Sequence, residues 1–452
     1  MRSYDPSRQF PSGLARPAGS LGASTTIEEF CVISQEQALS TADGWLNGDA
    51  PAEQRREVRN REFDLGWAVW AAPAALERDP VTGERRPPAD LGDACGVVDR
   101  QTGELSVWSS IPVDEVIEVY RQRSRPATGP GNALTATYPH PVTGETTRID
   151  LTAGPGRPPV EHQLVAELAR RGVPENAVRT IHTSLRSATL PGGYPAAVLE
   201  RHFPTAEVSC DHPYGIAAEE RTQGVAALTE RQQREVRPAP PRPNRVPAPL
   251  PDAVTPAEPV RDVALGRQLP IAVGRVVRYD ADDLAASALP DATRSTLAWA
   301  GLPAELPLFF TADRPDAPPA GGLLADLRTH FMAAGSPADP KVLDVLASWT
   351  RIGSDGLCVI AVQHSGDEPG SVWAVHPRTG SGRFVNSSVS TFVRSLALLA
   401  DTWPTLAGLD PTAAGAALAA LQTGLAEIDP QAFRRDTTWW AVLVEQMWHG
   451  LF

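Results

Sequence analysis

The sequence predicts an α+β protein of three small domains. Two Pro/Gly-rich breaks, at 126–132 and 236–259, divide the chain into three pieces. Each piece mixes strand-period and helix-period stretches. The length of 452 residues fits about three domains of ordinary size. Expected boundaries are a disordered tail at 1–26, a first domain at 27–125, a second at 132–234, a Pro-rich linker at 235–261 and a third domain at 262–452.

Hydrophobic residues make up 42% and charged residues 21% of the chain, as in soluble proteins with real cores. A net charge of −13 argues against a general nucleic-acid surface, which needs a basic field, and suits a basic protein partner. The cations are almost all Arg, with Lys341 the single lysine, a composition of GC-rich coding DNA. Cys31, Cys95, Cys210 and Cys358 form no CxxC pair, so buried thiols are expected and not a disulfide scaffold or a zinc ribbon. The N-terminus has no signal-like apolar run, and no segment reaches the roughly 20 apolar residues of a span. The expectation is a cytoplasmic protein, with no membrane partner and no cofactor.

In the first domain, Ser34 and Gln37 form a capping box ahead of Ala38, Ala42 and Trp45 at helical spacing, and Asn47-Gly48-Asp49 closes the helix. Phe63, Leu65, Trp67 and Val69 alternate as a strand would. A charged excursion runs from Glu77 to Asp93. Gly96–Val98 and Leu105–Trp108 flank a turn and predict a hairpin. Pro112 opens a helix with Val113, Val116, Ile117 and Tyr120 on one face. The Trp45 helix end, the Phe63–Trp67 strand and the Val98–Gly103 hairpin resemble the YrhB-like immunity domain. Asp64 and Asp99 are read as turn and strand-edge residues.

The second domain predicts a hairpin (136–138 with 147–151), a helix from Glu161 to Arg171, a strand from Val178 to Thr183, a helix from Tyr194 to His202, a strand from Ala206 to Cys210 and a charged helix from Glu219 to Arg234. The run Ile181–Gly215 resembles the nucleic-acid/nucleotide deaminase domains of bacterial polymorphic toxins. LPGGY (190–194) and HFPTAEVS (202–209) carry the resemblance. A zinc deaminase needs a His or Cys ligand, a proton-shuttling Glu and two thiolates. The resemblance places His182 at the ligand position, Ser184 where the Glu stands, and Ala188 and Pro195 where the two Cys stand. It therefore implies a scaffold without its chemistry. Cys210, His212 and His202 could only supply a rearranged metal site. His182 and Ser184 face one side of a strand, but nothing supplies an orienting carboxylate or an oxyanion hole. No GxSxG, GxGxxG or Walker-type loop occurs.

The nine prolines of 236–259 predict a semi-rigid spacer. In the third domain, 271–274 and 276–279 predict a strand. Extended segments follow at 306–310, 357–362, 372–376 and 383–386. Ser387 or Ser388 caps a helix carrying Phe392, Val393, Leu396 and Leu399, and a final helix follows Asp436. Gly301–Pro303, Val372–His376, Phe384–Ser388 and the Trp439-Trp440 helix resemble the SUKH superfamily of immunity proteins. From 262 to 452 there are 13 cations and 20 anions, a net −7 (13 − 20).

The resemblances imply a non-enzymatic immunity protein that neutralises a cognate, basic toxin domain, with Trp373, Asn386, Trp439 and Trp440 as candidate binding residues. One of the adjacent tryptophans is expected at the surface, where Trp is enriched at interface hot spots. The alternatives are a metal-dependent deaminase with a rearranged site, and a SUKH-type scaffold or regulator.

Overall fold

The computed structural model describes residues 33–48, 50–72, 94–100, 102–108, 111–140, 142–236 and 240–452. The expected tail, Cys31 and the Glu77–Asp93 excursion lie outside them. Helices and sheets occur in every module, so the fold is α+β. The chain divides into two compact units, Met1–Gln122 and Arg123–Phe452.

The first unit holds helix α1 (Gln35–Asn47), strands β1 (Val58–Phe63), β2 (Gly66–Ala71), β3 (Cys95–Asp99) and β4 (Leu105–Trp108), and all but the last two residues of helix α2 (Val113–Ser124). Its sheet is an antiparallel meander in chain order. The Ser34/Gln37 capping box forms as expected. Strand alternation sends Trp67, Val69 and Val98 toward Ala38 and Ala42 of α1. Ala68, Cys95 and Val97 face Val116 and Ile117 of α2. The stretch read as one strand from Phe63 to Val69 is a hairpin that turns at Asp64-Leu65. Gly66 permits the tight approach: a Cβ there would meet the Val98 carbonyl oxygen at 2.1 Å.

The second unit begins with β5 (Ala133–Pro139), β6 (Thr146–Thr152), α3 (Val160–Arg171), β7 (Thr180–Leu185), α4 (Pro195–His202), β8 (Glu207–His212) and α5 (Ala218–Glu235). The sheet order is β6-β5-β7-β8, and only β7–β8 is parallel. Leu164 and Leu168 of α3 cover Leu134, Ala136, Ile149 and Ile181.

The C-terminal module continues with α6 (Asp262–Val273), β9 (Val276–Val277), α7 (Ala281–Ala286), α8 (Asp291–Trp299), β10 (Leu302–Pro303), β11 (Glu305–Leu306), β12 (Phe310–Ala312), α9 (Leu327–Ala333) and α10 (Pro340–Leu346). Strands β13 (Trp349–Ser354), β14 (Val359–Gln363), β15 (Val372–Val375) and β16 (Gly382–Asn386) follow, then α11 (Val389–Thr402), α12 (Pro411–Ile428) and α13 (Trp439–Trp448). Strands β11 to β16 form one antiparallel meander in chain order. Ser388 caps α11 with a full capping box. Residues 271–273, read as strand, close α6 instead. Pro270 sits inside that helix, and the Gly266 carbonyl, four residues earlier, accepts from Arg278 Nη2 at 2.9 Å.

The middle and C-terminal modules share one core. Leu185, Leu190, Tyr194, Tyr214, Val225 and Leu228 belong to the same apolar cluster as Phe309, Trp439, Leu443 and Phe452. Arg221 of α5 makes a bidentate pair with Glu445 of α13, at 2.9 and 2.8 Å. The two residues are 2% and 4% exposed. Burial opposes the Arg221 cation, yet the Glu445 hydrogen bonds outweigh it and raise its pKa. The Glu445 carboxyl is correspondingly lowered despite its burial.

Both segments read as linkers are tied down. Gly129 and Gly131 donate to the carbonyls of Trp448 and His449 at 2.6 and 2.9 Å. Ala127 and Asn244 exchange backbone hydrogen bonds at 3.0 and 2.9 Å. The Gln422 amide donates to the Val246 and Pro247 carbonyls, and Ala257 donates to Glu427. From residue 240 on, the proline-rich stretch is thus a strap tied to α12. Proline suits it, because its carbonyls accept from neighbours while its nitrogen needs no partner.

Arg221→Met strands Glu445 with Arg245 alone, 3.7 Å away. It is expected to cost about 3–5 kcal/mol. Arg221→Met with Glu445→Leu removes both buried charges and is expected to cost less than the single change. Urea unfolding of the full chain, followed by Trp fluorescence, measures both.

Candidate functional site

The LPGGY turn leads into α4 on unusual backbone. Gly192 and Gly193 have φ of 101° and 90°, and Tyr194 is itself left-handed at 47°. A Cβ on Gly192 would meet the Phe452 ring at 2.4 Å, so glycine is required by contact as well as by φ. The Gly193 carbonyl lies 2.8 Å from His162 Nε2, and the Pro191 carbonyl accepts from Gln446 Nε2 at 2.6 Å. The Tyr194 hydroxyl donates to Asp355 Oδ2 at 2.7 Å, and Trp439 Nε1 donates to the same oxygen at 3.0 Å. Asp355 Oδ1 takes the backbone N–H groups of Leu357 and Cys358. Burial raises the Asp355 carboxyl above its usual range, and these donors oppose the rise. Burial also lifts the neighbouring Cys358 thiol to about 12, which makes it an inert core thiol.

The deaminase positions do not all converge. Ala188 and Pro195 come together: the Ala188 carbonyl accepts from Ala196 N–H at 2.9 Å, and Pro195 is the first residue of α4. His182 lies elsewhere. Ile181 joins the core under α3, so alternation turns His182 to the opposite face. There its nitrogens meet Ser209 Oγ at 3.0 Å and Asp211 Oδ1 at 3.1 Å. Asp211 in turn pairs with Arg231 of α5. The imidazole side chain is 46% exposed. Ser184 is buried on β7, His202 pairs with Glu175, and Cys210 carries a free thiol. Among the described residues no group of three or more His, Cys, Asp or Glu could hold a metal.

One residue beside Ala188 escaped the sequence reading. Glu161, in the first turn of α3, is 2% exposed and accepts from Ser187 Oγ at 2.5 Å. Burial raises its carboxyl, against the Ser187 hydrogen bond. A zinc deaminase signature places its Glu two residues after the first ligand, ahead of a Pro-Cys-x-x-Cys run. Pro159-Val160-Glu161 has that spacing, with Pro159 where the ligand would stand. The available signal was the Pro159-Val160-Glu161 step at a helix start.

The C-terminal candidates divide. All ten residues of α13 are buried, so the expectation of an exposed Trp in the 439–440 pair is corrected. The two rings stack edge-on, with centroids 4.8 Å apart. Asn386 is fully buried: its carbonyl accepts from Trp440 Nε1 at 2.8 Å and its amide donates to Asp429 at 2.9 Å. Asp429 also takes the Ser387 N–H and hydroxyl. The Phe-Val-Asn-Ser-Ser step is therefore a buried polar joint, and these three residues hold the core. Trp373 alone of the four is partly open, between Trp349 and Phe384.

Three family models match, in chain order. Residues 36–129 match the Immunity protein 35-like domain, in the place of the expected YrhB-like domain. Residues 129–231 match the Xanthomonas-like deaminase, and residues 264–446 match the SUKH-4 immunity protein. No curated protein and no solved structure gives a significant match. Two immunity-type modules therefore flank a deaminase-like one, as the three resemblances implied. Among the described residues no helix is long and apolar enough to cross a membrane.

The HPYG run (212–215) carries Tyr214, whose hydroxyl bonds His449 Nδ1 at 2.8 Å. Burial lowers the His449 pKa to about 4. As pH falls from about 6.5 to 4, the unfolded chain binds a proton that the folded chain refuses. Stability is therefore flat above that window and falls within it, by about 3 kcal/mol from (6.5 − 4) × 1.36. His449→Gln is expected to flatten this component. The urea midpoints of both proteins at neutral and mildly acidic pH provide the comparison.

Proposed function

We propose that this chain is a non-catalytic immunity-type protein that binds and neutralises a toxin domain stoichiometrically. The observation that carries the reading is the immunity-family match on each side of the deaminase-like module. The local chemistry supports it. Where the α3 and α4 N-termini meet, Pro159, Ala188 and Pro195 offer no metal ligand and His162 is bonded to the Gly193 carbonyl, whereas a zinc deaminase activates its water with three ligands. The net charge of −13 suits a basic toxin and would accelerate encounter more than it deepens affinity. The middle module would then serve as structure: it completes the core of the C-terminal module. We place the protein in the cytoplasm, where such a toxin would act.

Glu161 favours the second reading, a deaminase with a rearranged site, because a buried carboxyl with a raised pKa is what a proton shuttle needs. The two readings separate on metal. The immunity reading expects purified full-length protein to hold no zinc by elemental analysis and to release no ammonia from cytidine, adenosine or single-stranded DNA. Near-stoichiometric zinc, with turnover lost in Glu161→Gln, overturns it. His182→Ala is expected to leave metal content unchanged and stability within about 0.5 kcal/mol, as for an exposed surface position. Co-expression with toxin domains encoded beside the gene then tests protection of the host cell. It also separates an immunity protein from a scaffold.

A further inference from the structure

The connection from β12 to α9 is a long surface loop. From Arg314 to Gly322 it passes through Pro315, Pro318 and Pro319, and most of it faces solvent. Its hydrogen bonds close on itself. Ala317 donates to the Arg314 carbonyl at 3.1 Å and Gly322 to the Pro319 carbonyl at 3.0 Å, and Arg314 pairs with Asp316. Among the described residues a single hydrogen bond ties this stretch to the rest of the fold: His330 Nδ1, on α9, lies 2.7 Å from the Ala320 carbonyl oxygen.

That bond fixes the state of the ring. A carbonyl oxygen only accepts, so Nδ1 carries the hydrogen. On the far side Arg351 Nη1 lies 2.8 Å from Nε2. A guanidinium only donates, so Nε2 is the bare nitrogen and the buried imidazole is neutral. A proton on Nε2 would set donor against donor and cation against cation. Arg351 is itself held in place by Asp313, which accepts from its Nε and Nη2 at 2.8 and 2.9 Å. Burial lowers the His330 pKa; the Ala320 carbonyl opposes that shift, Arg351 adds to it and Asp313 opposes it. On its own helix, Asp326 is engaged with Thr329 and Arg328 with Asp344 of α10.

The backbone at the end of the loop is strained. Leu324 holds φ at 52° and is buried in the main core. A bulky L residue rarely adopts that conformation, and it persists only while its surroundings over-determine it. Gly321 and Gly322, at φ of 88° and 103°, have no side chain to restrict them and can act as a hinge. The one tie from His330 to Ala320 thus works beside two hinge residues and a strained anchor.

We propose that His330 is an acid-released latch: uptake of one proton by its ring breaks the contact with Arg351 and frees the 314–322 loop from the body of the C-terminal module. A released ring takes up its proton near about pH 6.5, whereas the latched ring resists until lower pH. Latching is therefore full above that value and weakens as pH falls through it. The device goes beyond the immunity reading and stands without it.

The test is hydrogen exchange of the full chain, read on peptides covering 314–326 and corrected for the intrinsic effect of pH. Between about pH 7.5 and about pH 5.5 the opening of the wild-type loop is expected to rise severalfold, up to the ceiling of about tenfold that one proton allows. His330→Gln keeps a donor and an acceptor but cannot titrate, and is expected to abolish the rise. His330→Ala is expected to leave the loop open at both pH values. No rise in wild type, or an equal rise in His330→Gln, overturns the proposal. So does a rise that α13 peptides share, since that is general loosening and not release of one loop. The ring gives a second readout that needs no variant: nitrogen NMR at neutral pH is expected to find the hydrogen of His330 on Nδ1, and a hydrogen on Nε2 overturns the proposal. Neither measurement needs zinc or a toxin, so failure here is distinct from failure of the immunity reading.

Discussion

Arg221 and Glu445 are the joint on which the larger unit depends. Two charges taken fully out of water are tolerable only as a pair with complete hydrogen bonding. Here each lies on a different module: Arg221 on the helix that closes the deaminase-like sheet, Glu445 on the innermost helix of the SUKH-type module. Neither residue could stay where it is if the modules separated. The pair therefore fixes register as well as contact, because a bidentate fork accepts one orientation. Around it the same boundary is closed by Tyr194 on Asp355, Gln446 on Pro191 and Tyr214 on His449. Each contact satisfies a polar group that burial would otherwise leave unpaired.

That boundary gives two runs of the middle module a structural use. LPGGY and HPYG both sit at the interface with the C-terminal module. Gly192 makes room for Phe452, Tyr194 reaches Asp355, and Tyr214 meets His449. Ala188 and Pro195, the positions that the deaminase resemblance singles out, are both buried at the start of α4.

Local signals were legible where one residue type has one physical use. Ser34 with Gln37 gave a cap that the structure places as read, and of Ser387 and Ser388 ahead of an apolar face the structure selects Ser388. The hairpins at 96–108 and 133–152 follow from turn residues between alternating runs. The deaminase-like order of elements followed in the same way. Misreadings came where pattern is degenerate. Phe63 and Trp67 keep strand parity across a two-residue turn, so a hairpin looked like one strand. Residues 271–273 are too short an apolar run to separate helix from strand, and Pro270 disguised the helix that contains them. The Trp439-Trp440 pair misled for a tertiary reason: helical geometry does put them on different faces, but α13 is enclosed on every side. Glu161 needed the fold as well, because only the fold brings the start of α3 to Ser187 and Ala188.

The most direct test of the central claim is native-state hydrogen exchange on the full-length protein. The claim is that the deaminase-like and SUKH-type modules are one cooperative structure. Local units open at their own free energies, and parts of one unit share the global value. The account predicts that amides of β5 and β7 exchange at the same free energy as those of α13, and that Arg221→Met lowers both together. Exchange of β5 and β7 at a distinctly lower free energy, with α13 unaffected by Arg221→Met, would contradict it.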